Sequence, residues 1–288
     1  MSEKRSRRNF IKLTGLGFVF GSIAGTPKSF ARKMIYNNQI NSNEKINLGL
    51  ASYSLRNFSL TQTIRMIKRL GLKKVSLKEV HLPIDSSKES IVKAVEEIKL
   101  AGLELYAVGV IYMTTEAEVI RAFEYAKAAG VDLIVGVPEY NLLPIAEQKV
   151  KEYNIKLAIH NHGPNDKRYP SPADVYDRIQ NMDKRVGMCL DIGHTMRLGI
   201  DPSIPLEKYF DRILDIHIKD ENLAAAEGTT IEIGRGVIDI PKFLKTLLKL
   251  NYKGTCAFEF EKDKDDPIPG LAESIGYIKG VISVLQVI

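Results

Sequence analysis

The chain has 288 residues, a length that suits one large domain or two small ones. Its composition, with 44% hydrophobic and 26% charged residues, is that of a globular protein that can bury a large core. The formal net charge of +6 does not indicate a nucleic-acid partner, because residues 1–31 carry a net charge of +5 and the rest of the chain is nearly neutral.

An export signal is predicted at the N-terminus. Residues 6–12 read SRRNFIK, which resembles the twin-arginine motif S-R-R-x-F-L-K. A short apolar stretch and a small-x-Ala cleavage-like sequence follow, and the stretch is too short to span a bilayer, so we expect no stable membrane anchor. A basic amphipathic arm is the alternative. The predicted organisation is a signal peptide over residues 1–31, a linker over 32–45 and one domain over 46–288, in a periplasmic protein.

From residue 46 onward, short apolar runs rich in β-branched residues alternate with segments of helical spacing. Glycines mark several helix-to-strand junctions, as at Gly71, Gly102 and Gly130, which is typical of a repeating strand–helix unit. Eight units in one domain predict a closed parallel (β/α)8 barrel, or TIM barrel, with a doubly wound open sheet as the alternative. The predicted strands are residues 46–53, 74–80, 103–110, 133–137, 156–160, 186–191, 213–219 and 255–259.

Polar side chains collect where the predicted strands end. The active face of a TIM barrel is formed by the loops that follow the strands, so these are the positions at which chemistry is expected. All five histidines of the chain lie at such ends, and this convergence favours a functional site over scattered structural histidines. The residues concerned are Lys78, His81, Glu139, His160, His162, Asp191, His194, His217, Lys219, Asp220, Glu259 and Glu261.

A divalent-metal site is predicted at neighbouring strand ends. Asp191, His217 and Glu259 offer one imidazole nitrogen and two carboxylates, which suit Zn²⁺, Mn²⁺, Co²⁺ or Fe²⁺. A fourth ligand is expected from the fifth strand, where His160 and His162 share the face toward the barrel axis because side chains alternate along a strand.

The order and spacing of four short motifs resemble the xylose isomerase-like TIM-barrel family, which includes sugar epimerases, inosose isomerases and dehydratases, and endonuclease IV. The motifs are LDIGH at 190–194, DIHIKD at 215–220, GRGVID at 234–239 and YKGTCAFE at 252–259. The resemblance implies that Asp191, His217 and Glu259 bind the metal and that His194 contacts substrate. Family members typically add a fifth-strand glutamate as the fourth ligand.

The fifth strand departs from the family pattern. Residues 157–163 read LAIHNHG where many relatives read LALENHG, so His160 replaces the usual glutamate. His160 can still bind a metal or move a proton. Glu139, at the end of the fourth strand, is the alternative ligand or base. The chain therefore lacks, on its fifth strand, one of the two glutamates that act on the two faces of a sugar in the epimerases.

Further roles are predicted around this metal site. Lys78 and Lys219 could stabilise a developing enolate oxygen, and Asp220 could orient His217 or Lys219. The alternative for Lys78 is an ion pair in the barrel mouth. Catalytic roles are predicted for His162, His194, Lys219, Glu139 and Lys78, and substrate contacts for Arg235 and Glu261.

The predicted function is that of a metal-dependent sugar isomerase or epimerase that acts through a metal-stabilised enediolate of a small carbohydrate. Loss of a β-hydroxyl or glycosyl group would instead make a lyase or dehydratase of keto-glycosides or inosose-like substrates. An exported sugar-binding barrel without catalysis is a third possibility. DNA repair is disfavoured by the export signal and the nearly neutral body of the chain. A homo-oligomer is possible, but no motif specifies one.

Overall fold

Eight parallel strands form a closed barrel in the computed structural model, which describes residues 46–286. Each strand pairs with its neighbours in the sequence, and the last pairs with the first. The predicted TIM barrel is therefore confirmed, and the open sheet is wrong. The strands are β1 (Asn47–Ala51), β2 (Lys74–Leu77), β3 (Glu104–Met113), β4 (Leu133–Pro138), β5 (Lys156–His160), β6 (Val186–Asp191), β7 (Ile213–Ile218) and β8 (Thr255–Phe258). The predicted signal peptide and linker, residues 1–45, lie outside the described residues.

Two strand ends differ from the prediction by three residues, and the others by two or fewer. β2 ends at Leu77, three residues early, because the backbone N–H of His81 turns back to donate to the carbonyl oxygen of Lys78 at 2.9 Å. β3 continues to Met113, three residues late, because its last residues pair with β4.

Helices follow the strands and start at side chains that cap them. Ser59, Thr115 and Ser171 each accept a hydrogen bond from a backbone N–H in the first turn, as N-cap residues do. The helices are α1 (Leu60–Arg69), α2 (Lys88–Leu100), α3 (Glu116–Ala129), α4 (Leu143–Tyr153), α5 (Pro172–Ile179), α6 (Ile192–Met196), α7 (Ser203–Lys208), α8 (Ile240–Lys249) and α9 (Ile268–Leu285). By composition α9 could also match a membrane span over 18 residues, but it packs on the barrel like the other outer helices.

The barrel wall is buried on both faces. Every residue of β4 and β6 is buried, because inward side chains fill the barrel and outward ones lie beneath helices. α3, for example, buries Val119, Phe123 and Ala126, which are spaced three or four residues apart on one helical face. This packing fixes the strand ends on which the polar residues lie.

A short hairpin stands on the C-terminal side of β7. Asp220–Glu221 pairs antiparallel with Thr230–Ile231. We call residues 220–231 the β7 hairpin. The carboxylate of Asp220 is buried and accepts hydrogen bonds from the backbone N–H groups of Glu221, Gly234, Gly236 and Ile238, at 2.9 to 3.1 Å. Asp220 therefore holds this hairpin and the following loop, and the prediction that it orients His217 or Lys219 is wrong.

Candidate metal centre and pocket

Four buried side chains meet at the C-terminal ends of β5 to β8. One potential ligand atom from each lies within 4.8 Å of the others. We call this group, His160, Asp191, His217 and Glu259, the ligand cluster. His160 Nε2 lies 3.0 Å from His217 Nδ1, which lies 3.2 Å from Glu259 Oε2. The strand register explains the meeting, since Asp191 pairs directly with His217.

The donor atoms of the ligand cluster suit a divalent cation. Two imidazoles and two carboxylates are the mixed nitrogen and oxygen set that borderline ions prefer. Asp191 Oδ2 is buried and accepts no hydrogen bond with good geometry from residues 46–286, although Lys219 Nζ at 3.0 Å and His160 Nε2 at 3.4 Å lie near it. Such an oxygen is available for a metal ion, so the residues present fit one.

His160, rather than Glu139, lies at the fourth position of the ligand cluster. The Glu139 side chain is 39% exposed and forms an ion pair with Arg168 at 2.8 Å. Glu139 starts the short turn after β4, which directs its side chain to the loop between β5 and α5. The structure therefore does not bring Glu139 to the ligand cluster.

Lys219 joins the ligand cluster to the carboxylates beside it. Its Nζ donates to Glu259 Oε2 at 2.7 Å and to Glu261 Oε1 at 2.6 Å. Burial would lower the pKa of Lys219, but Asp191, Glu259 and Glu261 raise it well above the usual value. Burial would likewise raise the pKa of Glu259, but Lys219 and His217 hold it well below its usual range. Lys219 is thus a fixed positive charge and Glu259 a fixed negative one.

His162 and His194 flank the ligand cluster. The His162 ring centroid lies 4.4 Å from that of His160, and His194 Nε2 lies 4.0 Å from Asp191 Oδ2. Burial lowers the pKa of His162 to about 3 and also lowers the pKa of His194. Both imidazoles are therefore uncharged near neutral pH.

The wall contributed by β2 and β3 is aromatic and cationic. The hydroxyl of Tyr112 lies 3.0 Å from His162 Nε2, and the two rings stack with centroids 5.6 Å apart. Lys78 Nζ donates to the carbonyl oxygen of Val110 and lies over the Tyr112 ring. Burial lowers the pKa of Lys78. Lys78 therefore lies in the barrel mouth, as its position at a strand end predicted. Its hydrogen bond is to the backbone of β3, however, and not to a carboxylate.

A polar pocket of about 530 Å³ opens beside the ligand cluster. His194 and Glu261 belong to its lining and also touch Asp191 and Lys219, so they connect pocket and cluster. The volume suits a small polar molecule. The lining consists of His194, Arg197, Glu221, Asn222, Gly228, Thr229, Thr230, Ile231, Glu261 and Lys262.

Glu221 is a pocket residue that the sequence analysis missed. It is only 2% exposed, and its Oε1 lies 3.4 Å from Thr230 Oγ1. Burial raises its pKa to about 7. Side chains alternate along a strand, so residues 217, 219 and 221 lie on one face. Continuing this alternation past the predicted strand end would have found Glu221.

Arg235 was predicted to contact substrate, but the structure does not bring it to this pocket. Its side chain is 59% exposed and binds Glu273 of α9, with Nη2 2.6 Å from Oε2. The turn at Gly234, with φ of 95°, directs the loop toward α9 instead of the barrel mouth.

A family model described as xylose isomerase-like TIM barrel matches residues 64–281. Among curated proteins, the inosose dehydratase of Histophilus somni strain 129Pt is 30% identical over 148 residues, which cover 45% of this chain and 47% of that protein. The chain thus matches about half the length of this relative.

Two solved structures have the same fold at low identity. A D-tagatose 3-epimerase-like protein is 19% identical with a TM-score of 0.69, over 84% of this chain and 98% of that one. A xylose isomerase-like TIM-barrel protein from Mycobacterium smegmatis, solved in complex with magnesium, is 17% identical with a TM-score of 0.64, over 83% of this chain and 97% of that one. With a family model that matches most of the sequence and a barrel that these structures share, the chain belongs to the xylose isomerase-like TIM-barrel family.

Proposed function

We propose that the chain is a divalent-metal-dependent lyase of the dehydratase kind. Its substrate is a small carbohydrate with a ketone, either a keto-glycoside or an inosose-like polyol, and it eliminates the hydroxyl or glycosyl group on the carbon β to that ketone. The observation that carries the proposal is His160 at the fourth position of the ligand cluster. With an imidazole there, the pair of glutamates that would work on two faces of a sugar is missing. The likeness to inosose dehydratases over half their length supports the same class.

In this proposal the ligand cluster holds the cation. A divalent ion bound there supplies Lewis acidity, which makes the hydrogen on the carbon next to a carbonyl more acidic. His194, which belongs to the pocket lining, accepts that hydrogen as a proton in this proposal. The fixed ammonium of Lys219 stabilises the negative charge that then develops on the substrate oxygen.

Isomerisation or epimerisation is the second candidate. His162 and His194 are two proton-accepting rings with centroids 5.8 Å apart. Two such groups could remove a proton at one carbon and return it at another, which is what an isomerase requires. The first chemical step, removal of a hydrogen next to a carbonyl, is the same in both candidates.

The test measures hydrogen exchange and product release separately. The purified protein is loaded in turn with Mn²⁺, Zn²⁺, Co²⁺, Fe²⁺ and Mg²⁺ and is given inosose or methyl 3-keto-glucoside in D₂O. NMR follows deuterium incorporation next to the ketone, and ultraviolet absorbance follows the unsaturated ketone. We expect both signals with at least one ion. A rearranged or epimerised sugar without elimination would establish the isomerase instead, and tight binding without exchange would establish a non-catalytic sugar-binding barrel.

We also propose that the protein works in the periplasm, where free and glycosidic sugars are its substrates. The SRRNFIK segment of residues 6–12 motivates this location. Replacing Arg7 and Arg8 by lysine should leave the protein in the cytoplasmic fraction of the producing cell, and unchanged export of that variant would contradict the location.

A further inference from the structure

Glu221 forms part of the pocket wall from the β7 hairpin. Its backbone pairs with Thr230, and its side chain is 2% exposed. Oε2 is buried and has no hydrogen-bond partner among residues 46–286, while Oε1 has only the long contact of 3.4 Å to Thr230 Oγ1. A buried carboxyl group with one oxygen free of the protein is unusual, because burial normally requires a partner. The neighbouring pocket can supply one from a bound molecule.

The chain makes room for Glu221 beside the ligand cluster. Gly193 lies between Asp191 and His194 in the sequence, and a Cβ atom built there would lie 2.6 Å from Glu221 Oε1 and 2.5 Å from Lys219 Cδ. Both side chains therefore pass directly over the Gly193 backbone. The backbone φ of Gly193 is not in the left-handed region, so close approach, rather than conformation, requires glycine here.

The charges around Glu221 oppose one another. Burial disfavours its ionised form most strongly, and Asp191 and Glu261 act in the same direction. Lys219 and Arg197 act in the opposite direction, and the resulting pKa is about 7. At neutral pH a large fraction of Glu221 therefore carries a proton, which an acid catalyst must have.

We propose, resting on the lyase function above, that Glu221 is the catalytic acid that protonates the departing oxygen of the substrate. A base removes the hydrogen next to the ketone, and the electron pair left on that carbon forms the carbon–carbon double bond as the bond from the β-carbon to oxygen breaks. The proton of Glu221 goes to the departing oxygen. The products are water or an alcohol and an unsaturated ketone, with no change in the total oxidation level. Glu221 leaves the step as a carboxylate and regains a proton from solvent.

The experiment compares two leaving groups in Glu221→Gln and in wild type, with the metal-loaded full chain. Methyl 3-keto-glucoside has a poor leaving group that needs a proton, whereas 4-nitrophenyl 3-keto-glucoside has one that departs as an anion. With the methyl substrate we expect release to fall by about 100-fold or more, the usual range for a general acid. With the nitrophenyl substrate the loss should be no more than about 3-fold, because no proton is needed. Deuterium exchange next to the ketone should be retained.

The pH profile gives a second readout. Release from the methyl substrate by wild type should fall as the pH is raised, because Glu221 loses the proton that it must donate. The Glu221→Gln variant should lack this fall. Glu227→Gln is the matched control, since Glu227 is exposed in the same hairpin and does not belong to the pocket lining, and it should match wild type in every assay.

Each outcome decides a separate point. Equal loss on both leaving groups, or loss of deuterium exchange as well, would overturn the acid role of Glu221 while the lyase function stands. An unchanged variant would overturn it too. Absence of exchange and release in wild type on both substrates would overturn the lyase function and the role of Glu221 with it.

Discussion

The two halves of the barrel mouth each contain a buried histidine, with opposite surroundings. His81, after β2, has neutral partners, with Ser52 Oγ at 2.9 Å, Thr63 Oγ1 at 3.0 Å and the Leu55 carbonyl oxygen at 3.1 Å. His160, at the end of β5, has ionisable partners instead, with His217 Nδ1 at 3.0 Å and Asp191 Oδ2 at 3.4 Å, and its Nδ1 has no hydrogen-bond partner among residues 46–286.

The comparison teaches that a histidine's neighbours, rather than its burial, distinguish a structural role from a ligand role. Within residues 46–286, both groups of side chains that could hold a metal ion lie on β5 to β8 or directly after them. The half formed by β1 to β4 contributes Tyr112 and Lys78 to the wall and closes the barrel. Substitutions in the two halves test whether the ligand role is confined to the half formed by β5 to β8.

The largest expected effect is loss of the metal in Asp191→Asn. Asparagine keeps the cap that Asp191 Oδ1 gives to the backbone N–H of His194 but removes the charge of a ligand. Metal affinity should fall by at least about 100-fold, more than loss of a supporting partner causes. Elemental analysis after dialysis measures it. Glu139→Gln, in the other half, should keep its metal, and equal loss in both variants would break the comparison.

Lys219→Met should have the next largest effect. The change leaves Asp191, Glu259 and Glu261 without the ammonium that lies between them, and unpairing a buried group of this kind costs about 3 kcal/mol or more. A bound cation replaces the lost charge. Thermal unfolding should therefore show a lower Tm in the presence of chelator and a much smaller difference from wild type when metal is added. If added metal does not reduce the difference in Tm between the variant and wild type, the ligand cluster does not hold a cation.

Gly193→Ala tests the close approach of side chains to the backbone where the ligand cluster meets the pocket. The new Cβ would meet Lys219 Cδ at 2.5 Å and Glu221 Oε1 at 2.6 Å, so the side chains must shift. Overpacking of this kind costs about 1–3 kcal/mol in free energy of unfolding, which denaturant titration measures. Gly280→Ala in α9 is the control, since nothing lies within 4 Å of its added Cβ, and it should be neutral or slightly stabilising. Equal stability of the two variants would contradict the close approach.

The smallest effect is expected for Arg235→Ala. Its ion pair with Glu273 is exposed, and such pairs contribute little to stability. We expect no measurable change in Tm or in KM for the methyl 3-keto-glucoside. A several-fold increase in KM would instead support the substrate contact that the sequence analysis predicted for Arg235.

Much of the barrel and of the ligand cluster could be predicted because both depend on local patterns. Apolar runs of four to eight residues mark strands, and polar side chains at their ends mark the mouth of a parallel barrel. Alternation along a strand then puts His160 and His162, or His217 and Lys219, on one face. The roles of these residues stay predictions, but their placement follows from the strand register.

The remaining site residues could not be predicted because they depend on backbone geometry after the strands. The β7 hairpin consists of two-residue strands, which are too short to be recognised as strands by themselves, so the alternation of β7 was not continued as far as Glu221. The turn at Gly234 directs Arg235 away from the pocket, and the direction of this turn cannot be predicted from the sequence. The partners of Glu139 and Asp220 were likewise set by loop paths.

The four backbone hydrogen bonds to Asp220 have a consequence for affinity. They fix the β7 hairpin and the following loop before any ligand arrives. Ordering a free loop on binding would cost about 1–2 kcal/mol of conformational entropy for each residue, which is subtracted from the interaction energy. A preorganised wall avoids this loss, so a small polar ligand with few atoms can bind here with more of its interaction energy retained.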